Sequence, residues 1–263
     1  MQNESSLQSG PDATHLDRGK WSDVLIGVAI CVAWLLAARL ALSAMPPINI
    51  PMIRSEFAPS TLAVYAGILA VGAVLARLAS FPAPVGGRIP ASRRFVWPAL
   101  LGAAIGVAAA VIDRFTHGAD FLARQTGQPT FNVDFPQSLP VYLAGPVLPE
   151  AVFHVLPLAF LMLVSRWFVS DAGGRKRAFF VLAGLVALIE PVLQGGGVIA
   201  MAKGDTPSLL LTQFLPYFAT SYPLNLAACL AFGRSGFLSA MAVRLGFYVV
   251  WHILYGNFLY PGL

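Results

Sequence analysis

Apolar residues fall in long, nearly unbroken blocks separated by short polar stretches, without the two-residue alternation that marks a half-buried strand. Blocks of this kind reach the roughly 20 residues that a helix needs to cross a hydrocarbon layer. They predict about seven spans, within a range of six to eight, near residues 21–45, 60–81, 95–112, 139–168, 178–201, 208–232 and 237–260. Pro46-Pro47 stops the first, a Pro- and Gly-rich loop from Pro82 to Pro90 precedes the third, and a longer polar connection from Asp113 to Ser138 leads into the fourth. The sixth is interrupted by Pro216 and Pro223. A barrel would need alternation, so the expected fold is an all-α polytopic transmembrane helix bundle. Residues 1–20 are polar and lack the apolar core of a cleavable signal. They are expected to form a flexible cytoplasmic tail ahead of a single transmembrane domain, 21–263.

Composition agrees with that reading. The 263 residues are 57% hydrophobic and only 11% charged, with a mean hydropathy of +0.71, where a soluble domain carries about 25% charge. The formal net charge of +5 comes from Lys and Arg gathered in short loops, so it sets topology and calls for no nucleic-acid partner. The lipid bilayer is the expected partner. With the amino terminus inside, Arg18, Lys20, Arg88, Arg93, Arg94, Arg166, Arg175, Lys176, Arg177 and Arg234 share the inner side, against Arg54, Arg114, Arg124 and Lys203 outside. A multi-pass protein of a bacterial cytoplasmic membrane is the expected setting. Cys31 and Cys229 lie in separate apolar blocks and are expected to be small buried residues.

Ionisable groups inside a span are costly and tend to mark function. The polar residues placed well inside are Arg39, Arg77, Glu150, His154, Glu190, Gln194, Gln213, Asn225, Arg244 and His252. Three sets repeat every four residues: Glu150 with His154, Glu190 with Gln194, and Arg244 with Tyr248 and His252. Each set aligns on one helix face, and three such faces can enclose a polar cavity. Structural roles account for part of the set. Arg39 and Arg77 suit snorkelling towards an interface, Gln194 and Asn225 suit interhelical hydrogen bonds, and Glu190 suits charge pairing with Arg244.

A carboxylate and an imidazole in an apolar cavity form a competent base and proton shuttle for water activation. An arginine or protonated histidine on a facing helix stabilises the oxyanion formed when water attacks an amide. A metal site is the alternative chemistry, with Glu150, His154, Glu190 and His252 as its ligand set; no other cofactor is expected. Gly233-Arg234-Ser235-Gly236 spells the Gly-x-Ser-Gly of rhomboid proteases, but His252 follows on the same predicted helix, so the match is read as chance.

Gly145-Pro146-Val-Leu-Pro149-Glu150-Ala-Val-Phe153-His154 resembles the first motif, Glu-Glu-x-x-x-Arg, of the CAAX-protease and bacteriocin-processing-enzyme (CPBP) family of intramembrane endopeptidases. Val186-Ala-Leu-Ile-Glu190 stands where that family has Phe-x-x-x-His, and the segment from Ser235-Gly236 to His252 and Asn257 is similar to its late His-x-x-x-Asn helix. The third motif also registers on Arg244 and Tyr248. Pro149 replaces the family's first glutamate, His154 its arginine and Glu190 its second-motif histidine. The resemblance covers roughly the second half of the chain and implies packed helices around a polar intramembrane site.

The expected function is therefore that of a divergent glutamate-dependent intramembrane endopeptidase acting on membrane-associated peptides or protein tails. Glu150 would activate water, His154 or His252 would shuttle the proton, Arg244 with His252 would polarise the carbonyl, and Glu190 would orient a cation. The competing expectation is a catalytically inactive relative serving as a transporter, channel component or scaffold, with the same buried charges forming a proton or ion path.

Overall fold

The structure is a computed structural model that describes residues 20–48, 50–127, 132–201 and 206–260. Most of the expected amino-terminal tail, the outer-side Lys203 and the final three residues lie outside the described residues. The described residues form helices and connecting turns, with no strand among them. The chain is a multi-pass helical protein in which, among the described residues, six helices are long and apolar enough to cross a membrane. These are α1 (Trp21–Ser43), α3 (Pro59–Leu78), α4 (Ser92–Thr116), α6 (Ser138–Ser165), α7 (Ala172–Gly197) and α9 (Phe237–Leu259). The short helices α2 (Pro51–Glu56) and α5 (Gly118–Thr126) cap the end opposite the amino terminus.

The remaining long helix, α8, joins Thr206–Leu209, Leu210–Phe214 and Leu215–Ser235. It falls outside the apolar six because Gln213, Tyr217, Thr220, Ser221, Tyr222 and Asn225 interrupt its hydropathy. Its two ends nevertheless lie at opposite ends of the bundle. Near its start, a Cβ placed on Gly118 of α5 would lie 3.7 Å from Gln213 Oε1; at its finish, Gly236 lies against Ala83 and Pro84 in the loop before α4. Among the described residues α8 thus runs the length of the bundle beside the six helices that have the composition of independent spans.

One end is basic. It gathers Lys20 at the start of α1, Arg77 at the end of α3, Arg94 at the start of α4, Arg166 after α6, and Arg175, Lys176 and Arg177 in the first turns of α7. The Arg77 guanidinium lies 5.4 Å above the Trp21 ring, which accounts for one of the two arginines expected to snorkel. Arg39 is exposed on the outer surface of α1, beside Leu36 and Leu40. The opposite end is tied by Tyr255 donating to Asp113 Oδ2 at 2.8 Å, by Tyr260 donating to Asp120, and by Gln137 reaching the Pro46 carbonyl.

α9 is the central helix, with 61% of its most apolar window buried, whereas α4 buries 17% and presents its other residues outward. The two meet through small residues. A Cβ on Gly102 would overlap the Val243 carbonyl oxygen, and one on Gly246 would overlap that of Ala99. Cys31 and Cys229 are buried free thiols in the main core; Cys31 Sγ donates to Met241 Sδ at 3.4 Å.

Four helical stretches open from α to π geometry: Ser92–Val96, Glu150–Val155, Leu210–Phe214 and Val249–Leu259. They share a pattern. In each, the residue that follows the stretch donates to the carbonyl five positions back: Trp97 to Ser92, Leu156 to Ala151, Leu215 to Leu210 and Tyr260 to Tyr255. In the first three a proline comes next within the helix, Pro98, Pro157 and Pro216. A proline inside a helix has no N–H and its ring crowds the carbonyl four residues back, so the turn before it widens. Sequence periodicity treats these segments as α-helix, and the widened turn is the difference. One of them carries both Glu150 and His154.

Candidate functional site

α6 brings Glu150 and His154 to the middle of the bundle on its widened turn, and both are completely buried. Gly72 of α3 permits that turn to pack closely, since a Cβ there would meet the Leu156 backbone nitrogen at 3.1 Å. α9 brings Arg244, buried to 2% exposure, with Gly246 two residues on allowing α4 to close over it. α7 contributes Glu190 just beyond its turn at Ala187–Leu188, and α8 contributes Asn225 two residues after Pro223.

Arg244 is the hub. Its Nε donates to Glu150 Oε1 at 2.6 Å, one terminal nitrogen donates to Glu190 Oε1 at 2.9 Å, and the other donates to Glu190 Oε2 at 2.6 Å and to Asn225 Oδ1 at 2.7 Å. Glu190 therefore holds the guanidinium in the bidentate fork that suits a planar carboxylate partner. Gln194 Nε2 reaches Glu190 Oε1 at 3.4 Å, and the Tyr217 hydroxyl donates to Gln194 Oε1 at 2.9 Å. The face of Tyr248 lies 6.0 Å from the guanidinium carbon.

The Glu150 and His154 side is less complete. His154 Nδ1 stands 3.1 Å from Glu150 Oε2, within ion-pair distance. The angles there do not make a hydrogen bond, so Glu150 Oε2 and both His154 nitrogens are buried polar atoms without a hydrogen-bond partner. Glu150 Oε2 and His154 Nδ1 face each other and His154 Nε2 meets no hydrogen-bond partner; buried polar atoms are nearly always satisfied, so three such atoms at one point call for a reason. Charge counting adds another observation: two carboxylates face one guanidinium, and a single proton held by the Glu150 and His154 pair brings the cluster to neutrality.

The structure thus brings together four of the five residues singled out from the sequence: Glu150, His154, Glu190 and Arg244. His252 stands elsewhere. Its Nδ1 lies 2.9 Å from Asn132 Oδ1, its ring stacks on Tyr142 with centroids 4.1 Å apart, and its carbonyl accepts from Asn132 and Asn257. Tyr248 bridges the two places, edge-on to the His252 ring at 4.9 Å and face-on to Arg244. The physical reason is rise. Eight helical residues separate Arg244 from His252, about 12 Å along the axis, so an aligned stripe still spans two levels.

This arrangement does not suit a metal ion. The guanidinium of Arg244 sits between the carboxylates of Glu150 and Glu190, and His252 is directed to Asn132. Among the described residues no group of three or more His, Cys, Asp or Glu is placed to hold a metal. The Gly-x-Ser-Gly resemblance also finds no serine and histidine couple, because Ser235 closes α8 at the basic end while His252 lies beside Asn132 near the other. Asn132 and Tyr217 were not anticipated from the sequence. Asn132 lies in a polar connection and Tyr217 in a mixed stretch, and neither has a spacing that distinguishes it.

Comparison with known proteins returned no matching family model, no matching curated protein and no matching solved structure.

Proposed function

We propose that this chain is a divergent glutamate-dependent intramembrane endopeptidase, resembling the CPBP enzymes, that hydrolyses peptide bonds of membrane-associated peptides or protein tails. The observation that supports it is the set of orphaned atoms, Glu150 Oε2 with both His154 nitrogens, at the buried meeting point of four helices. Arg244 occupies Glu150 Oε1, which leaves Oε2 as the base towards a water molecule. With the proton of the pair on His154, Oε2 takes the water proton as the oxygen attacks the scissile carbonyl. The imidazolium lies beside the developing oxyanion and donates its proton to the leaving nitrogen, and Glu150 then passes the proton drawn from water to His154, which restores the pair.

The roles assigned from the sequence change at two positions. Arg244 gives four hydrogen bonds to protein partners, so it positions Glu150 instead of polarising the carbonyl. Glu190 and Asn225 in turn position Arg244. His252 does not share the level at which the water would react. The positive-inside rule places the basic end in the cytoplasm, with a bacterial cytoplasmic membrane as the proposed setting.

The saturation of Arg244 favours one other reading, in which the cluster is a closed proton-carrying centre of a non-hydrolytic transporter component or scaffold. Comparing the protein amino termini of membranes that contain the wild-type chain or Glu150→Gln separates the two. The endopeptidase reading expects new termini that the variant abolishes, a rate loss of about 10²-fold or more for removal of a general base. Identical termini in both membranes, with proton movement into vesicles blocked by Glu150→Gln, would establish the second reading.

A further inference from the structure

At the basic end, remote from the Arg244 cluster, a cavity of about 460 Å³ is lined by Arg77, Leu78, Ser80, Arg166, Val169, Ser170 and Arg175. Three guanidinium groups and two hydroxyls share this space, and among the described residues no carboxylate lines it. The nearest acidic residue in sequence, Asp171, accepts from the Gly174 backbone as the cap of α7 and does not line the cavity. Like charges drawn into one cavity repel, and an anion relieves that repulsion.

Each arginine has a different support. Arg166 is held by donation to the Leu78 carbonyl at 2.6 Å and to Ser80 Oγ at 2.7 Å, bonds that tie the end of α6 to the end of α3. Arg77 rests on Trp21, and its Nε is buried without a hydrogen-bond partner. Arg175 is exposed at the first turn of α7. Leu78 and Val169 give the lining its apolar part, and Trp167 and Phe168, between Arg166 and Val169 in sequence, are exposed at the end of a helix with the composition of a membrane span. A cationic interior with an apolar rim at that level matches the junction between a headgroup and its acyl chains.

We propose that this cavity binds a phosphate group, with Arg77, Arg166 and Arg175 as its cationic ligands and the phosphodiester of an anionic phospholipid as the source that the apolar rim favours. Guanidinium groups fork onto phosphate oxygens, and Arg77 Nε supplies a donor that protein partners leave unused. The site is independent of whether the Arg244 cluster hydrolyses peptides.

Delipidated full-length protein in detergent, titrated with phosphatidylglycerol or phosphatidylcholine and followed by native mass spectrometry, tests the lipid source. Inorganic phosphate, followed by thermal stability, tests the soluble one. Phosphatidylglycerol should bind in preference to phosphatidylcholine, and Arg175→Gln and Arg77→Gln should each weaken it about fivefold, the effect of one cation near an anionic surface. Lys176→Gln, which removes a neighbouring charge that does not line the cavity, should leave it unchanged. Phosphate-dependent stabilisation lost in the same two variants also supports the site, with a soluble phosphate as ligand. Equal binding of both lipids without phosphate stabilisation, or the same loss in Lys176→Gln as in Arg175→Gln, overturns it. Because Arg175 is exposed, its variant still reports should Arg77→Gln disturb the packing on Trp21.

Discussion

Arg244 and the arginines at the basic end carry the same charge into opposite surroundings. Arg244 is buried among two carboxylates and an amide, with four hydrogen bonds of 2.6–2.9 Å. Arg77, Arg166 and Arg175 line a shared cavity with hydroxyls and apolar groups but, among the described residues, no carboxylate. In the apolar interior a charge must bring its counter-charge with it, because desolvation is not returned by water. At the edge of the bundle water and headgroups neutralise charge from outside, so the protein can leave that task to its surroundings. Closure at one level and openness at the other suggest where the chain fixes its own structure and where it meets something else.

The largest expected effect comes from breaking the closed side of this comparison. Arg244→Met leaves Glu150 and Glu190 buried without their cation, and losing one partner of a buried ion pair costs about 3–5 kcal/mol. Thermal unfolding in detergent should show a large drop or no folded protein. Arg244→Lys keeps the charge but cannot fork onto Glu190, so it should fall between Met and wild type. A Met variant as stable as wild type would mean that the network does not hold the helices together.

Glu190→Gln should cost less, about 1–3 kcal/mol, because the amide oxygen still accepts from Arg244 and one carboxylate remains at Glu150. The same change removes the negative charge in excess of Arg244, so the pair formed by Glu150 and His154 no longer needs a proton for neutrality. If cleavage is confirmed, its pH profile should move in Glu190→Gln but not in Lys176→Gln. A profile identical in all three proteins would show that Glu190 serves packing only.

The fold was largely legible because hydrocarbon demands continuous apolar blocks, and the expected spans fall within a few residues of the helices, as with 60–81 against Pro59–Leu78. The sixth expected span is present as α8, whose polar residues both lower its hydropathy and supply Asn225 to Arg244. Four-residue spacing also brought out Glu150 with His154, since i and i+4 share a helix face. Spacing gives an angle about the axis and not a level along it, which is why His252 was grouped with Arg244. The widened turns before Pro98, Pro157 and Pro216 were not read from the sequence, because apolar periodicity carries no sign of them; Pro216 was read as an interruption of its span, and the backbone instead reorganises around it. The cationic cavity was hidden for a different reason: Arg77 is far in sequence from Arg166 and Arg175, and the three meet only because α3 and α6 end where α7 begins.

The open side of the comparison predicts small effects on stability. Arg175→Gln should change the unfolding free energy by no more than about 0.5 kcal/mol, as for a surface substitution. Added salt should shift phospholipid binding at the basic end while leaving the Arg244 cluster insensitive, because buried pairs are screened much less than exposed charges. Equal salt sensitivity of unfolding in wild type and Arg244→Lys would support that division, and strong sensitivity in wild type alone would contradict it.

The smallest effect tests the rule on a carboxylate outside the spans. Glu56 ends α2 at the end opposite the basic one and is half-buried, and burial alone pushes its pKa above the usual 4.5. The folded state therefore binds its proton more tightly than the unfolded chain does. Stability from this group is fully present below pH 4.5 and is lost as pH rises through the higher folded value. Glu56→Gln mimics the protonated form and should match the wild type in acid, then melt slightly higher at neutral pH. A variant that melts lower at neutral pH would mean that the Glu56 carboxylate is held by a favourable partner, as Glu150 is by Arg244, and the contrast between paired and unpaired charge would then not extend to this end of the bundle.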